Sequence, residues 1–126
     1  MAIFGIGNDM VQISRIAKVY KRYPESLIKR ILHPKEQIEI TTIKDKVRYL
    51  AKHFAAKEAI TKAIGTGFRN GITFHDMLIL HTELGQPYVE LSGVTYQLFK
   101  KNNIIATHLS LSDEREYCVA MVIVEV

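Results

Sequence analysis

The stretch FAAKEAITKAIGTG, residues 54–67, carries a single carboxylate between two lysines, and its spacing predicts a helix. Residues four apart share a helix face, so Glu58 lies one turn from Lys62. A carboxylate of this kind can ligate a divalent cation, and a lysine can bind phosphate oxygens. Taken alone, an exposed Glu–Lys pair is a common surface feature that contributes only about 0.3–0.5 kcal/mol. The chemistry therefore requires a second carboxylate and an anionic ligand.

A second carboxylate follows the glycines of GIGNDMVQISRI, residues 5–16. Gly5 and Gly7 let the backbone bend or approach another group closely, and Asp9 follows two residues after Gly7. Within this segment alone, the simpler interpretation of Asp9 is a turn or helix-capping residue. The G-x-G pattern lacks the third glycine of the dinucleotide fingerprint and the Gly-Lys-Ser/Thr of the Walker loop. Neither nucleotide-binding fold is therefore predicted.

Polar side chains alternate with leucines in THLSLSDE, residues 107–114. In a strand, His108, Ser110 and Ser112 point to one side. Such a row can bind phosphate oxygens, or it can be the hydrated face of an edge strand. No nucleophile elbow or triad order surrounds the serines, which argues against a serine nucleophile. The remaining histidines lack zinc-site spacing and are interpreted as surface or packing residues: His33, His53, His75 and His81.

Basic residues gather on one side of the first predicted helix. They are Arg15, Lys18, Lys21 and Arg22. Charges opposite an apolar stripe are usually a solvated face, and the alternative is a docking surface for an acidic protein or a nucleic acid. Little aromatic interleaving is present for base stacking, which argues against single-stranded nucleic acid.

The elements that must position these residues are helices and mainly hairpin-linked strands. A long helix is predicted from about Asp45 to Ile64, ended by Gly65 and Gly67. The other predicted segments, in chain order, are a strand at AIFGIG, a helix from Ser14 to Pro24, a helix SLIKRIL capped by Ser26, a helical turn PKEQIEI, strands ITFHDMLIL and PYVELS, a helix VTYQLFKKNN, and strands THLSLS and EYCVAMVIVEV. The predicted fold is α+β, with helices packed on one face of an antiparallel sheet in one domain over residues 1–126.

Composition fits a globular domain that binds anions. The chain has 126 residues, 48% of them hydrophobic, and a formal net charge of +4. A modest positive charge favours phosphates, nucleic acid or an acidic protein and does not choose among them. The only cysteine, Cys118, cannot form an internal disulfide and is interpreted as a buried thiol. No apolar run approaches the roughly 20 residues of a membrane span, so we expect no membrane partner and a cytoplasmic location.

Four blocks in this order resemble the holo-acyl-carrier-protein synthases, which are short 4′-phosphopantetheinyl transferases. The blocks are GIGNDMVQISRI, FAAKEAITKAIGTG, GQPYV and THLSLSDE, and they span nearly the whole chain. Two positions depart from the family pattern: Gln12 stands where an acidic residue is frequent, and Asn8 where an apolar one is common. Neither position is an expected metal ligand, so the resemblance still predicts an active enzyme.

The resemblance implies a reaction. Coenzyme A donates its 4′-phosphopantetheine arm to a serine of apo acyl carrier protein, for fatty acid biosynthesis, and leaves adenosine 3′,5′-bisphosphate. It implies Asp9 and Glu58 as Mg²⁺ ligands in the catalytic site. Our hypothesis adds that Lys62 contacts the pyrophosphate, that Lys57 contacts a nearby phosphate, and that Glu58 is the base for the serine proton, directly or through metal-bound water.

The resemblance also implies further contacts and an assembly. It places His108 at the 3′-phosphate of coenzyme A, with Ser110 and Ser112 as candidates for the same pocket, and the basic side of the first helix against acyl carrier protein. Family members are typically homotrimers with active sites between subunits. Other candidate anion contacts are Gly65, Gly67, Arg48 and Lys52.

Two other functions stay open at this point. One is a non-catalytic module that binds RNA or an acidic protein through the first helix. The other is a different magnesium-dependent phosphotransfer enzyme. Close approach of Asp9 and Glu58 would distinguish the enzymes from the module, because an RNA-binding module does not need paired carboxylates.

Overall fold

A computed structural model describes residues 1–126 as five strands and five helices. In chain order they are β1 (Ile3–Gln12), α1 (Ile13–Arg22), α2 (Pro24–Ile31), α3 (Pro34–Glu39), α4 (Lys46–Ile64), β2 (Met77–His81), β3 (Pro87–Leu91), α5 (Gly93–Lys101), β4 (Ala106–Asp113) and β5 (Tyr117–Glu125). Short 3₁₀ turns follow α3 at Ile40–Thr42 and precede β2 at Phe74–Asp76.

The strands form two antiparallel sheets. The larger has the order β1-β5-β4, and the smaller is the β2-β3 hairpin. Helix α4 packs along the inner face of β1 and β5, which alternate buried and exposed residues as a half-buried sheet requires. The predicted α+β fold, with helices on one face of an antiparallel sheet, is confirmed. None of the helices is long and apolar enough to cross a membrane.

Two glycines in β1 allow this strand to lie directly on the backbone of α4. A Cβ at Gly5 would collide with the carbonyl oxygen of Ala63, and a Cβ at Gly7 with that of Ala59. The alanines that α4 presents are fully or almost fully buried, so the two backbones approach closely. The close approach places Asp9, which faces the same way as the two glycines, beside the middle of α4.

Helix boundaries follow local capping. The long helix was predicted correctly: the Asp45 side chain accepts a hydrogen bond from the N–H of Arg48 at 3.0 Å, and Gly65 ends the helix with φ of 86°. The predicted cap at Ser26 is wrong, because α2 begins at Pro24, whose fixed φ suits the first helical turn. The predicted strand at ITFHDMLIL begins only at Met77, since the 3₁₀ turn occupies Phe74–Asp76.

The outer face of the larger sheet exposes apolar side chains. Ile6 and Met10 of β1 are 59% and 64% exposed, and Met121 of β5 is 46% exposed. These residues alternate with the inward-facing positions of the same strands. Strand β5 lies between β1 and β4, so the apolar C-terminal segment is the central strand of the sheet.

Candidate active site

The site of interest lies where β1 crosses the middle of α4. The Lys62 ammonium donates to Oδ1 of Asp9 at 2.9 Å and to the carbonyl oxygen of Asn8 at 3.0 Å. Half of the Lys62 side chain is exposed, whereas only 14% of the Asp9 side chain is. Glu58 lies one helical turn before Lys62 and is half-buried. The structure therefore brings together the three residues that the sequence predicted for catalysis.

The electrostatics of Glu58 reflect this crowding. Burial raises the pKa of its carboxyl, the nearby Asp9 carboxylate raises the pKa further, and Lys62 lowers it. Two carboxylates that interact in this way favour either a shared proton or a bound cation. The arrangement suits a positively charged ligand placed between Asp9 and Glu58.

The donor set fits a hard divalent cation. No group of three or more His, Cys, Asp or Glu side chains is arranged to hold a metal ion. Asp9 and Glu58 therefore offer at most two carboxylates to a cation bound at this point. Mg²⁺ is commonly held by one or two carboxylates, and waters and substrate phosphates complete its coordination. Zinc, by contrast, takes three or four ligands from the protein and prefers nitrogen and sulfur.

A cavity of about 410 Å³ opens beside Glu58. Half of its eight lining residues are hydrophobic and half are polar or charged: Arg30, Phe54, Glu58, Phe68, Ile72, Thr73, Phe74 and His75. Phe74 lies against both of the other aromatic rings, with centroids 5.7 Å from Phe54 and 4.3 Å from Phe68. Sequence reasoning did not identify these aromatic residues, because they come from α4 and from the loop after it and show no common spacing.

Lys57 does not contribute to this surface. Its side chain is fully buried, and its ammonium lies 2.6 Å from Oε1 of Glu36, which is itself 1% exposed. The prediction that Lys57 contacts a phosphate therefore does not fit the structure, because the side chain points into the interior. Glu36 was missed. The signal that could have found it is the H-P-K-E sequence, which forms a capping box at the start of α3.

Gly65 acts as the cap of α4. Its N–H group donates hydrogen bonds to the carbonyl oxygens of Thr61 and Lys62, both at 3.1 Å. This N–H group is therefore not free to bind a phosphate. The predicted phosphate contact through the Gly65 backbone is thus replaced by helix termination. Gly67, with φ of 61°, makes a longer bond of 3.4 Å to the Thr61 carbonyl.

Arg48 and Lys52 occupy another part of α4. Arg48 donates to Oδ2 of Asp113 and to the carbonyl oxygen of Glu114, each at 2.7 Å, and the hydrogen bond to Asp113 raises the pKa of its guanidinium. The Lys52 ammonium is 3.8 Å from the same aspartate. Both residues line a separate cavity of about 410 Å³, also bounded by Tyr49. Arg48 lies about 15 Å from Glu58 along the helix axis.

His108 and Ser110 lie on the opposite face of the sheet from Asp9. In the paired register, Ser110 is across from Met121 on the outer face, whereas Asp9 is across from the buried Ala120. His108 is exposed, and its Nε2 lies 2.5 Å from a carboxylate oxygen of Glu125. Within one chain, therefore, these side chains do not join the Asp9–Glu58 site.

The basic side of α1 is exposed as predicted for a solvated or docking face. All four of its cations are accessible: Arg15, Lys18, Lys21 and Arg22. Val19 and Tyr23 are also 45% and 54% exposed, so apolar surface lies among the charges. The Arg22 guanidinium stands 5.6 Å from the centroid of the Tyr23 ring.

Comparison with known proteins identifies relatives over nearly the full length. Residues 5–122 match the 4′-phosphopantetheinyl transferase superfamily. The chain is 49% identical over 125 residues to a holo-[acyl-carrier-protein] synthase of Vibrio campbellii, with 99% of each chain covered. The Neisseria meningitidis holo-[acyl-carrier-protein] synthase has a similar structure, with a TM-score of 0.95, 38% identity, and coverage of 99% of this chain and 100% of that one.

A third relative was solved with a ligand. The Helicobacter pylori holo-[acyl-carrier-protein] synthase, in complex with coenzyme A, has a TM-score of 0.82 and 32% identity, and the match covers 95% of this chain and 99% of that one. The predicted family and enzyme class are thereby confirmed. With its α+β fold, its paired carboxylates on β1 and α4 and these full-length matches, the chain belongs to the holo-[acyl-carrier-protein] synthases of the 4′-phosphopantetheinyl transferase superfamily.

Proposed function

We propose that this protein transfers the 4′-phosphopantetheine group of coenzyme A to a serine of apo acyl carrier protein. The products are holo carrier protein and adenosine 3′,5′-bisphosphate, and the reaction serves fatty acid biosynthesis in the cytoplasm. The observation that carries the proposal is the meeting of Asp9, Glu58 and Lys62 at the contact of β1 with α4. Full-length relatedness to holo-acyl-carrier-protein synthases supports the same reaction.

The proposed metal is Mg²⁺, held by Asp9 and Glu58. When bound, it supplies neutralisation of the charge that develops on the phosphate oxygens. Two carboxylates on rigid backbone elements suit this cation, because β1 and α4 are locked together by the close approach at Gly5 and Gly7. Loss of either carboxylate then removes half of the protein's contribution to the site.

Lys62 is proposed to hold the pyrophosphate of coenzyme A. Its ammonium is the exposed cation nearest to the paired carboxylates, and it has three N–H donors of which two bond to Asn8 and Asp9. A phosphate oxygen can take the third donor, or can replace one of the present acceptors. A cation at this position stabilises negative charge on the transferring group and on the leaving group.

Glu58 is proposed to accept the serine proton. The carboxylate lies beside the aromatic cavity, where burial and Asp9 raise its pKa toward the range in which a carboxylate is an effective base. A cation bound at Glu58 would oppose this rise in pKa. The proposal therefore depends on location: Glu58 lies at the edge of the cavity, which suits acceptance of a proton from a hydroxyl that attacks the β-phosphate.

The proposed site is completed by a neighbouring subunit. His108 and Ser110 lie on the opposite sheet face from Asp9, so they can contact the nucleotide end of a coenzyme A bound at Asp9 only from another copy of the chain. The exposed apolar side chains of this outer face, Ile6, Met10 and Met121, provide surface for such an assembly. A homotrimer with sites between subunits accounts for both observations.

Acyl carrier protein is proposed to dock on α1. Four exposed cations attract an acidic partner, and the exposed Val19 and Tyr23 provide apolar contact among them. Arg48 and Lys52 are proposed as further anion contacts, although Asp113 must release Arg48 for it to bind a phosphate directly.

Mass spectrometry of apo carrier protein tests the proposal. Incubation with the enzyme, coenzyme A and Mg²⁺ should add the mass of one phosphopantetheine group to one serine, and excess chelator should abolish the gain. Consumption of coenzyme A without any mass gain would identify a different phosphotransfer enzyme. Absence of both changes would contradict an enzymatic role.

A further inference from the structure

A buried ion pair lies directly behind the candidate active site. Lys57 precedes Glu58 on α4, but the two side chains point in different directions: Glu58 lines the cavity, and Lys57 enters the interior. The Lys57 ammonium and the Glu36 carboxylate are 2.6 Å apart and inaccessible to solvent.

Every donor of this ammonium is used within the protein. Besides Glu36, it donates to the carbonyl oxygen of Ile31 at 2.9 Å and to that of Phe74 at 3.2 Å. An ammonium has three N–H donors, so none remains for a ligand. Lys57 thus ties α4 to the end of α2 and to the 3₁₀ turn before β2.

Glu36 ties two more segments to the same point. Its Oε1 accepts a bond from the N–H of His33 at 2.9 Å, and its Oε2 accepts one from the N–H of Ile79 in β2 at 2.8 Å. A buried carboxylate with an ammonium partner and two backbone donors is fully satisfied on both oxygens. The pair is therefore a junction of α2, α3, α4 and β2.

The anchored segments form walls of the cavity beside Glu58. Phe74, whose carbonyl Lys57 holds, lines that cavity, and so does Arg30, the neighbour of the other held residue, Ile31. The two walls are also joined by His75, which contacts the carbonyl oxygen of Lys29. Glu58 itself extends from the helix that carries the ammonium.

We infer that Lys57 and Glu36 are positioning residues for the transfer reaction: their ion pair fixes the Arg30 and Phe74 walls relative to Glu58. The expected effect on kcat rests on the proposed function, because it assumes that the protein catalyses phosphopantetheine transfer. Loss of either charge lets the walls move relative to α4, which lowers kcat because the reacting groups are held less well. Neither side chain touches coenzyme A, so affinity for adenosine 3′,5′-bisphosphate is preserved.

A double-mutant cycle tests this inference against direct phosphate contact. The variants are Lys57→Met, Glu36→Gln and the two combined, with Lys46→Met at the start of the same helix as the control. We expect each single variant to lower kcat per folded molecule at least about 10-fold and the double variant to lose little more, since both changes break one junction. Affinity for adenosine 3′,5′-bisphosphate should change less than about 3-fold, and Lys46→Met should match the parent.

Two kinetic or binding results would overturn the inference. A large loss of bisphosphate affinity in Lys57→Met that Glu36→Gln does not share would make Lys57 a phosphate ligand. A kcat at the parental level in the folded single variants would reduce the pair to a stabilising role. If a single variant fails to fold, the double variant provides the test instead, because it buries no unpaired charge. A parental kcat in the double variant would likewise reduce the pair to a stabilising role.

Amide hydrogen exchange supplies a readout that does not depend on turnover. Lys57→Met should increase exchange in residues 30–33 and 72–76, which the ammonium anchors, more than in β5. Unchanged exchange in both segments overturns the inference whatever the activity. Failure of the proposed function, by contrast, would appear as absent transfer by the parental protein.

Discussion

Helix α4 contributes two lysines, five residues apart, to two lysine–carboxylate pairs with opposite surroundings. Lys57 and Glu36 form a closed pair in the interior, where backbone groups satisfy every remaining donor and acceptor. Lys62 and Asp9 form an open pair, with half of the lysine side chain exposed and a second carboxylate, Glu58, close by.

The difference shows that one helix can carry both a buried charge that stabilises the fold and an accessible charge that can bind a ligand. A fully satisfied buried pair has no capacity for a ligand, and it constrains whatever is attached to it. A partly exposed pair contributes less to stability. Here the additional carboxylate of Glu58 gives the group a net negative charge that can bind a cation, and the third N–H of Lys62 can bind a phosphate. We have proposed that the closed pair fixes the cavity walls and that the open pair, together with Glu58, binds the reactants.

The largest effect should follow from a change in the open site. Glu58→Gln keeps the size of the side chain and removes the negative charge. If Glu58 is the proposed metal ligand and base, the change should lower kcat/KM at least about 100-fold. Turnover would be measured by phosphopantetheine transfer across a Mg²⁺ series, with Glu83→Gln in the exposed β2–β3 turn as control. Unchanged turnover and Mg²⁺ dependence would remove Glu58 from the mechanism.

The free energy of unfolding should depend more on the closed pair than on the open pair, the reverse of the direct effect on catalysis. Lys57→Met leaves the Glu36 charge buried without a partner and should reduce the free energy of unfolding by about 3–5 kcal/mol. Lys62→Met breaks a pair whose lysine is half exposed and whose aspartate, 14% exposed, keeps some access to water, so it should cost only about 1 kcal/mol. Urea denaturation at one fixed protein concentration compares the variants, because assembly would make stability concentration-dependent. Equal losses would mean that the two pairs are not energetically distinct.

A smaller effect is expected at α1, which is remote from both pairs. Charge reversal of Arg15 and Arg22 should raise KM for acyl carrier protein roughly 10-fold at low salt, through loss of electrostatic attraction, and leave KM for coenzyme A unchanged. The difference from the parent should shrink as salt screens the attraction. Charge reversal of Lys44 is the matched control, since this exposed cation lies outside α1. A parental KM at low salt would exclude this face.

The sequence predicted the open site better than the closed one, for physical reasons. Asp9 and Glu58 belong to local patterns, a glycine-spaced strand and an alanine-rich helix, whose contact follows once the strand lies on the helix. The orientation of Lys57 depends on Glu36, 21 residues away, and on carbonyl groups from two other elements. Helical spacing alone assigned Lys57 to the polar side, because charge normally indicates exposure.

The side of β4 that carries His108 was predicted, but its position on the opposite sheet face from Asp9 was not. Period-two alternation correctly placed His108 and Ser110 on one side of β4 and Leu109 on the other. Which side faces α4 is decided by the pairing of β4 with β5 and by the packing of the whole sheet. No short segment carries that information.

The smallest expected effect is the loss of folding stability at low pH, which depends on a histidine beside the closed pair. His53 is 5% exposed, and its Nε2 lacks a hydrogen-bond partner at 3.5 Å from Oε2 of Glu36. Burial lowers the pKa of His53 below its ordinary value of 6.5, and Lys57 lowers the pKa further. The Glu36 carboxylate, the Tyr49 carbonyl and Glu39 raise the pKa, but burial outweighs them. The histidine is therefore neutral when folded at pH values where the unfolded chain already binds a proton.

The sign of the effect follows from proton uptake on unfolding. As pH falls below 6.5, the unfolded state gains a proton that folded His53 does not, so stability decreases by at most about 1.4 kcal/mol per pH unit until folded His53 also titrates. His53→Gln should remove this part of the acid sensitivity, whereas His81→Gln, at an exposed histidine, should keep it. Urea denaturation at about pH 7 and about pH 5 measures the difference. If His53→Gln loses as much stability with acid as the parent, folding does not lower the pKa of His53. If the variant loses more than the parent, His53 is protonated beside Glu36 in the folded state, and the interior around the closed pair accepts a second cation.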